Sequence, residues 1–394
     1  MIEITDKEKC CGCTACFNIC PKKCVSMQPD KEGFLYPIVD KKQCVNCGLC
    51  EKVCPILNYE PIEEKTPAAY VIRTKNQNDL MQSTSGGFST PLAQWFFSKG
   101  GSVWTASYDD NWNVVHREFT KDGVEFSKTR GSKYVQSYLG DTYIKIQDEL
   151  KKGRWVCFIG TTCQVYGLKE FLKKDYEKLI TMDLVCHGTP SPKLWEKYID
   201  FQTKKYNSKI AEINFRNKTY GYHSGTMMLR FENGKKYTGS ARVDYMLKSF
   251  FSEIASRPSC YTCKFKQLNR VSDYTVFDCW HMGELLGKKD DDRGYTNLFV
   301  HTDKGSKLLK EIAAAYEIFQ VDVEKAIALD GIMVRNSATP HKDRASFYTD
   351  LDEYEMDEHI QKYIKVTSKD RLLESIKGIA YKGGLMATLR KIKG

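Results

Sequence analysis

Two copies of one cysteine pattern open the chain and constrain its fold more than any other feature. The pattern Cys-x2-Cys-x2-Cys-x3-Cys-Pro runs from Cys10 to Pro21 and again from Cys44 to Pro55. Three closely spaced thiolates and a distant fourth are the arrangement that holds a 4Fe–4S cluster. Because each cluster takes its fourth thiolate from the opposite run, the two copies must fold as one unit.

This spacing is typical of bacterial-type ferredoxins that carry two clusters, and it predicts two crossed ligand sets. The sets are Cys10, Cys13, Cys16 and Cys54 for one cluster, and Cys44, Cys47, Cys50 and Cys20 for the other. The alternatives are a zinc ribbon, which needs only two pairs of ligands, and a disulfide framework, which needs an oxidising compartment. Cys11 and Cys24 fall outside the pattern, and we expect them to be small packed side chains.

Length and composition set further limits. A chain of 394 residues predicts two or three domains. The N-terminus lacks an apolar leader and no apolar run reaches membrane-spanning length, so the 16 cysteines indicate metal and redox use in the cytoplasm. The net charge of +10 suits acidic partners or phosphate-bearing cofactors, and no nucleic-acid-binding motif is present.

Beyond the cysteine repeats, strand and helix patterns alternate. The expected strands cover 69–72, 103–108, 114–119, 154–159 and 179–185, and the expected helices cover 88–99, 141–152 and the stretch from Cys163 to Lys174. This order predicts a parallel core. A hairpin should follow over 227–238, with Asn233-Gly234 as a type I′ turn.

Four cysteines in this second part of the chain form another candidate metal site. Cys163 and Cys186 each follow an expected strand, and parallel strands end at one edge of a sheet, where ligands bind. Cys260 and Cys263 add a close pair. Their spacing is compatible with a third cluster, with zinc, or with unrelated structural cysteines.

Two loops could contact a phosphate-bearing ligand. Ser83-Thr84-Ser85-Gly86-Gly87 precedes a helix, whose free backbone amides bind phosphate, although an ordinary helix cap is the commoner outcome. The basic segment 130–136 is the second loop, and it could equally be a solvated surface loop.

Taken in order, these segments resemble the beta-subunit family of coenzyme F-420 hydrogenase/dehydrogenase, part of which has a fused two-cluster ferredoxin. The matching segments cover roughly residues 1 to 305 and are Ser83–Gly87, Gly131–Ser137, Gly160–Gln164, Asp183–Gly188, Phe215–Lys218 and Cys260–Phe265. The chain departs from the family pattern at Thr162, which replaces a proline, and at Cys279 and His281, which replace phenylalanine and glycine. We expect His281 to be an ordinary polar loop residue.

The resemblance implies an α+β protein in which a ferredoxin-like domain precedes an α/β flavin-binding domain with a mixed sheet. The expected divisions are 1–60 for the ferredoxin-like domain, 61–67 for a linker, 68–310 for the flavin-binding domain and 311–394 for a C-terminal helical region. The family holds FAD beside an iron–sulfur cluster, which implies that Cys163, Cys186, Cys260 and Cys263 ligate a third 4Fe–4S cluster. The residues implied to contact FAD are Ser83, Ser85, Gly86, Gly87, Ser132, Lys133 and Tyr134.

The function implied is an oxidoreductase that links a hydride-exchanging small molecule, such as the deazaflavin coenzyme, to a one-electron protein partner. Lys133 and His187 are the candidate catalytic residues, although His187 could instead be structural. The alternatives are a non-catalytic electron-transfer subunit and an iron–sulfur sensor. The chain could form a homo-oligomer. The apolar spacing in its basic tail, residues 363–394, predicts a helix. This helix could pack on the domain, or it could contact a membrane surface or an acidic partner.

Overall fold

A small N-terminal module contains both cysteine runs. The computed structural model describes residues 1–63, 65–123 and 125–383. In the module, β1 (Val25–Pro29) pairs antiparallel with β2 (Leu35–Val39). Helices α1 (Ala15–Ile19) and α2 (Leu49–Lys52) each carry the third cysteine of a run. The two helices occupy equivalent positions in the two copies of the cysteine pattern, as the sequence repeat predicts, and the two strands lie between them in the chain.

The remaining strands build two sheets. They are β3 Ala68–Thr74, β4 Ser102–Tyr108, β5 Val114–Phe119, β6 Val156–Thr161, β7 Leu179–Leu184, β8 Ile210–Asn217, β9 Thr226–Phe231, β10 Lys236–Ser240, β11 Tyr274–Cys279, β12 Tyr295–Val300 and β13 Tyr316–Gln320. Eight of them form one sheet in the order β13-β3-β12-β11-β7-β6-β4-β5. Its centre, β4-β6-β7-β11, is parallel and its flanks are antiparallel. The expected α+β class with a mixed sheet is confirmed.

Helices cover the sheets and continue to the end of the described chain. They are α3 Gln77–Gln82, α4 Ser89–Ser98, α5 Thr142–Lys151, α6 Thr162–Leu172, α7 Pro192–Tyr206, α8 Tyr245–Phe251, α9 Pro258–Tyr261, α10 Met282–Leu286, α11 Asp303–Ile312, α12 Val323–Asp330, α13 Ile332–Arg335, α14 Arg344–Thr349, α15 Met356–Tyr363 and α16 Ser368–Lys382. None of the helices in the described residues is both long and apolar enough to cross a membrane.

The hairpin over β9 and β10 forms, but the predicted type I′ turn is wrong. Arg230 pairs with Lys236, so the connection is longer than the two residues that this turn type requires. Gly234 has a φ of 80°, while Asn233 does not adopt a positive φ. The Asn233 side chain instead accepts a hydrogen bond from the Lys235 amide at 3.1 Å, which stabilises the longer loop.

The C-terminal region is helical apart from one strand. β13 pairs with β3 at the edge of the large sheet, so the sheet continues past residue 310. Helix α16 lies against the β10 end, where the Glu374 carboxylate accepts hydrogen bonds from the Ser240 amide and hydroxyl at 2.9 and 2.6 Å. Glu374 thus attaches α16 to the domain, while the apolar residues Leu372, Ile376 and Ile379 of the helix stay 61%, 41% and 71% exposed. Residues 384–394 of the basic tail lie outside the described residues.

The N-terminal module is embedded in the larger domain. Phe34 and Tyr36 of its hairpin are buried in the same apolar core as Leu194 and Trp195 of α7. Polar contacts surround this core: the Asn18 amide donates to the Gly140 carbonyl at 2.9 Å, and Arg344 pairs with Glu32 at 2.8 Å. The shared core places the first cysteine run directly against the larger domain.

Candidate functional site

The first predicted ligand set converges. Cys13 and Cys16 are buried, and Cys54 lies within electrostatic reach of Cys10. Burial, and then the neighbouring Cys10 and Cys54 thiols, raise the pKa of Cys16. Cys54, which belongs to the second cysteine run, therefore lies close to cysteines of the first run, as the crossed assignment requires.

The second predicted set lies closer to the surface. Cys20, Cys44, Cys47 and Cys50 line one small cavity of the module. Cys47 is exposed, and the neighbouring Val45 side chain is 58% exposed. Cys24 lies in the same place, with its Sγ 3.4 Å from that of Cys20. Cys24 is buried as expected, and it packs directly on a predicted ligand.

The third set forms at the edge of the large sheet. β6 and β7 are parallel neighbours, with Thr161 paired to Leu184, so the residues that follow them meet at one edge. Cys163 lies in the first turn of α6, where Thr161 and Gln164 form a capping box. Burial and the nearby Cys163 and Cys260 thiols raise the pKa of Cys263. The predicted meeting of Cys163 and Cys186 is confirmed by the strand register.

Cys186 completes this third set, and Cys11 adjoins it. Burial, followed by the Cys260 thiol, raises the pKa of Cys186, and Cys163 and Cys263 act in the same direction. Cys11 contacts the thiols of both Cys13 and Cys163, which belong to different predicted clusters. Sequence reasoning treated Cys11 as a packed side chain and did not foresee this position between two sets.

The donor sets fit iron–sulfur cubes in their chemistry. Each set supplies four thiols, and each thiolate of a cube binds a different iron, which separates the sulfurs more widely than the ligands of one ion. Within the described ranges, no three His, Cys, Asp or Glu side chains converge as ligands of a single ion would.

A cavity of about 1540 Å³ lies between the third thiol set and the two predicted phosphate-binding loops. It exceeds the usual range of small-molecule sites, roughly 300–1,000 Å³. The predicted residues that line it are Ser83, Ser85, Gly87, Ser132, Lys133, Tyr134, Cys163, Cys186 and His187. Gly86 does not line it, because the Gly86 amide donates to Thr296 Oγ1 at 2.9 Å on the sheet side.

A buried lysine holds the serine–glycine loop in place. Lys218 Nζ donates to the carbonyls of Leu80, Ser85 and Arg293 at 2.7, 2.7 and 2.6 Å. Burial lowers the pKa of Lys218 to about 7, against the opposing attraction of Asp278. The Ser85 hydroxyl also meets Thr296 Oγ1 at 2.8 Å. This loop is therefore rigidly attached to the sheet.

The second loop is connected to the first. The Ser132 amide donates to Thr84 Oγ1 at 2.9 Å. Lys133 Nζ donates to the carbonyls of Thr129 and Gly131 at 2.9 and 3.2 Å, and burial lowers its pKa to about 7. The Tyr134 ring stacks on Phe250 at 4.3 Å. One wall of the cavity is therefore built from both predicted loops.

A further part of the cavity wall combines charged and aromatic side chains, and it meets the second loop where Arg216 Nη1 donates to the Tyr134 hydroxyl at 3.1 Å. Arg216 pairs with Asp278 at 2.9 Å, and its guanidinium lies over the Trp280 ring at 4.6 Å. Trp280 in turn stacks on Tyr222 with centroids 4.5 Å apart. Neither Arg216 nor Trp280 was predicted as a site residue. A signal was available for Arg216, because it lies in the segment Phe215–Lys218 that carries the resemblance, whereas Trp280 lies between the two departures from the family pattern, Cys279 and His281.

Four histidines line the cavity in different surroundings, and one of them, His223, pairs with Asp290 at 2.7 Å. His187 forms a close contact with the Glu253 carboxylate, and His281 pairs with buried Asp330 at 2.7 Å. His116 Nε2 lies 3.1 Å from the Ile159 carbonyl, while its buried Nδ1 has no hydrogen-bond partner among the described residues. Burial lowers the pKa of His116 to about 4. An orphaned ring nitrogen beside the cavity fits a polar ligand there.

Residues 9–57 match the family model of the 4Fe-4S dicluster domain, so the chain is an iron–sulfur electron-transfer protein. Residues 153–325 match the family described as the C-terminal part of the coenzyme F420 hydrogenase/dehydrogenase beta subunit. The resemblance drawn from the motifs is thereby confirmed.

A solved structure gives a more distant similarity, and the curated proteins give none. The chain is similar to a chain of the F420-reducing [NiFe] hydrogenase complex from Methanosarcina barkeri, with 17% identity and a TM-score of 0.45 over 77% of this chain and 95% of that chain. No curated protein matches the chain significantly.

Proposed function

We propose that the chain is an iron–sulfur flavoprotein oxidoreductase. It would exchange electrons between a hydride-donating or hydride-accepting small molecule and a one-electron protein partner in the cytoplasm. The observation that carries this proposal is the position of the large cavity. Cys163 and Cys186 line one side of it, and the two phosphate-type loops line the other. A bound flavin would therefore lie beside a third cluster.

FAD supplies the chemistry that links the two kinds of electron carrier, because it accepts a hydride and releases electrons singly. The residues that would hold it are those of the two loops, Ser83 to Gly87 and Ser132 to Tyr134. Lys133 places a cation at the cavity wall, and its lowered pKa lets it hold or release a proton near neutral pH. The deazaflavin coenzyme is the substrate that we propose to test first.

His187 is positioned to handle a proton near the third thiol set. It follows Cys186 directly, and the Glu253 carboxylate orients its ring. The Tyr261 hydroxyl donates to the Glu253 carbonyl at 2.6 Å, which ties this pair to the loop of Cys260. We assign His187 as the proton carrier of this site.

The second ligand set is the proposed exit to a protein partner. Exposed Cys47 and Val45 bring this set to the surface. Exposed lysines at positions 22, 41 and 42 flank its cysteines. An acidic one-electron carrier would be attracted by this charge.

The decisive experiment is a count of iron and flavin in anaerobically purified protein. We expect about twelve irons and one FAD per chain, since each cube holds four irons. Eight irons and no flavin would contradict the oxidoreductase proposal and leave a protein that only transfers electrons. Cys260→Ser should lose about four irons, whereas Cys157→Ser, which changes a buried cysteine inside β6, should keep all of them.

The substrate is tested separately on the same preparation. Reduced protein should transfer hydride to the oxidised deazaflavin coenzyme, which is followed by loss of the coenzyme's absorbance. A preparation with full iron and flavin that leaves this absorbance unchanged would rule out that substrate and retain the flavoprotein class.

A further inference from the structure

Arg257 lies between the N-terminal module and the third thiol set. Its side chain is 1% exposed. Its Nε donates to the Cys10 carbonyl at 2.7 Å, which reaches the first predicted cluster. Its own backbone carbonyl accepts from the Cys260 amide at 2.9 Å, which reaches the third. One residue therefore contacts the ligand loops of two clusters.

Among the residues that the structure describes, no carboxylate forms an ion pair with this buried guanidinium. Nη1 donates to Gln136 Oε1 at 3.2 Å, and Nη2 has no partner among the described residues. The Tyr36 ring covers its face at 4.0 Å. A buried charge without a counter-charge is strongly unfavourable, so something else must balance this cation.

Two other buried arginines and one half-buried arginine are balanced by acids. Arg216 faces Asp278, Arg270 faces Asp183, and Arg344 at the module surface faces Glu32. Arg257 differs from them in the charge that surrounds it. Burial opposes its protonation, yet the thiols of Cys10, Cys11 and Cys260 nearby raise its pKa overall.

We propose that Arg257 is the counter-charge of the two clusters at this junction and raises their reduction potentials. The proposal rests in part on the proposed function, because one of the two clusters is the one at the third thiol set. The step that Arg257 would influence is the reduction of a junction cluster by one electron from the neighbouring cluster. The negative charge of the reduced cluster increases by one, and no bond or proton changes. A fixed cation stabilises the more negative state. Arg257 is thus a positioning and tuning residue that makes the junction the favoured resting place of an electron.

The test is an EPR-monitored redox titration of the full, anaerobically purified chain. Arg257→Gln should lower the reduction equilibrium constant of the junction clusters at least about tenfold, which is about 59 mV for a one-electron couple. Arg257→Lys keeps the charge and should restore most of the shift. The outer cluster, whose signal is the one lost in Cys47→Ser, should not move.

Two further variants distinguish an effect of charge from a folding defect. Arg344→Gln combined with Glu32→Gln removes an ion pair at the same module boundary without changing the net charge, and should leave every potential unchanged. Gln136→Glu keeps the guanidinium and adds a carboxylate beside Nη1, so it should lower the junction potentials without removing Arg257.

The outcomes separate the two proposals. Unchanged junction potentials in Arg257→Gln with full iron, or in Gln136→Glu if the first variant does not fold, overturn the role of Arg257. Eight irons in the unmodified chain instead contradict the third cluster and the proposed function. In that case a shift of the Cys10 cluster alone would still support the counter-charge role.

Discussion

Asp183→Asn should destabilise the edge of the sheet that carries the third thiol set. Asp183 and Arg270 are both fully buried, with Oδ2 and Nη1 3.3 Å apart. Thr275 Oγ1 donates to the other carboxylate oxygen at 2.6 Å. Arg270 also donates to Thr162 Oγ1 at 2.7 Å, next to Cys163. The substitution preserves shape and removes only the negative charge that balances Arg270.

The expected cost follows from the burial of this pair. Removing one partner of a buried ion pair costs about 3–5 kcal/mol, because the other charge is left uncompensated. Thr275→Val removes a neutral donor from the same carboxylate and should cost about 1–3 kcal/mol. Since whole domains are stable by about 5–15 kcal/mol, the first change should be severe and the second tolerable.

The measurement is anaerobic urea unfolding followed by far-UV circular dichroism, together with the visible absorbance of the clusters. Asp183 lies three residues before Cys186, and Arg270 holds Thr162 beside Cys163. Asp183→Asn should therefore release about four irons at lower urea than the remaining irons. The two module clusters should be released later, near the midpoint of the unmodified protein.

A double variant decides whether charge is the cause. Asp183→Asn combined with Arg270→Met removes both charges, and most of the lost free energy should return. The reasoning is refuted if Asp183→Asn alone stays within about 1 kcal/mol of the unmodified chain, which is the range of an ordinary substitution.

Two more outcomes test the cavity wall and the surface cluster. Burial lowers the pKa of Lys133 to about 7, so above that pH the unfolded chain binds more protons and the free energy of unfolding should rise with pH; below it, this contribution should be flat. Denaturant titrations of Lys133→Met should lack this rise, and an equal slope in both proteins would contradict the assignment. Reversing Lys22 and Lys42 to glutamate should slow electron exchange with an acidic one-electron carrier about tenfold at low salt. The stopped-flow rates of the variant and of the unmodified chain should converge at high salt. Reversal of Lys307 on α11 is the control and should leave the rate unchanged.

The sequence predicted those parts of the site that depend on local rules. Cys163 and Cys186 could be brought together because the ends of neighbouring parallel strands share one sheet edge. The crossed module ligands followed from spacing alone. Gly87 lines the cavity as expected, but the role of Gly86 depends on Thr296, a partner from a distant strand that no local pattern indicates.

The parts that could not be predicted depend on contacts between distant segments. Lys218 meets carbonyls from three separate stretches of the chain, and Arg257 reaches Cys10, which lies 247 positions earlier in the sequence. The turn at Asn233 was mispredicted because a turn type depends on how the flanking strands pair, which the dipeptide does not determine.

The shared core around Phe34 and Tyr36 has a consequence for how electrons move. Modules joined by a flexible linker exchange electrons only when they collide, so their rates fall as solvent viscosity rises. Here the module is held by a common core and by polar contacts such as Arg344 with Glu32, so its cysteine sets stay at fixed separations from the third set. Internal electron transfer should therefore proceed at the same rate in buffer and in concentrated glycerol.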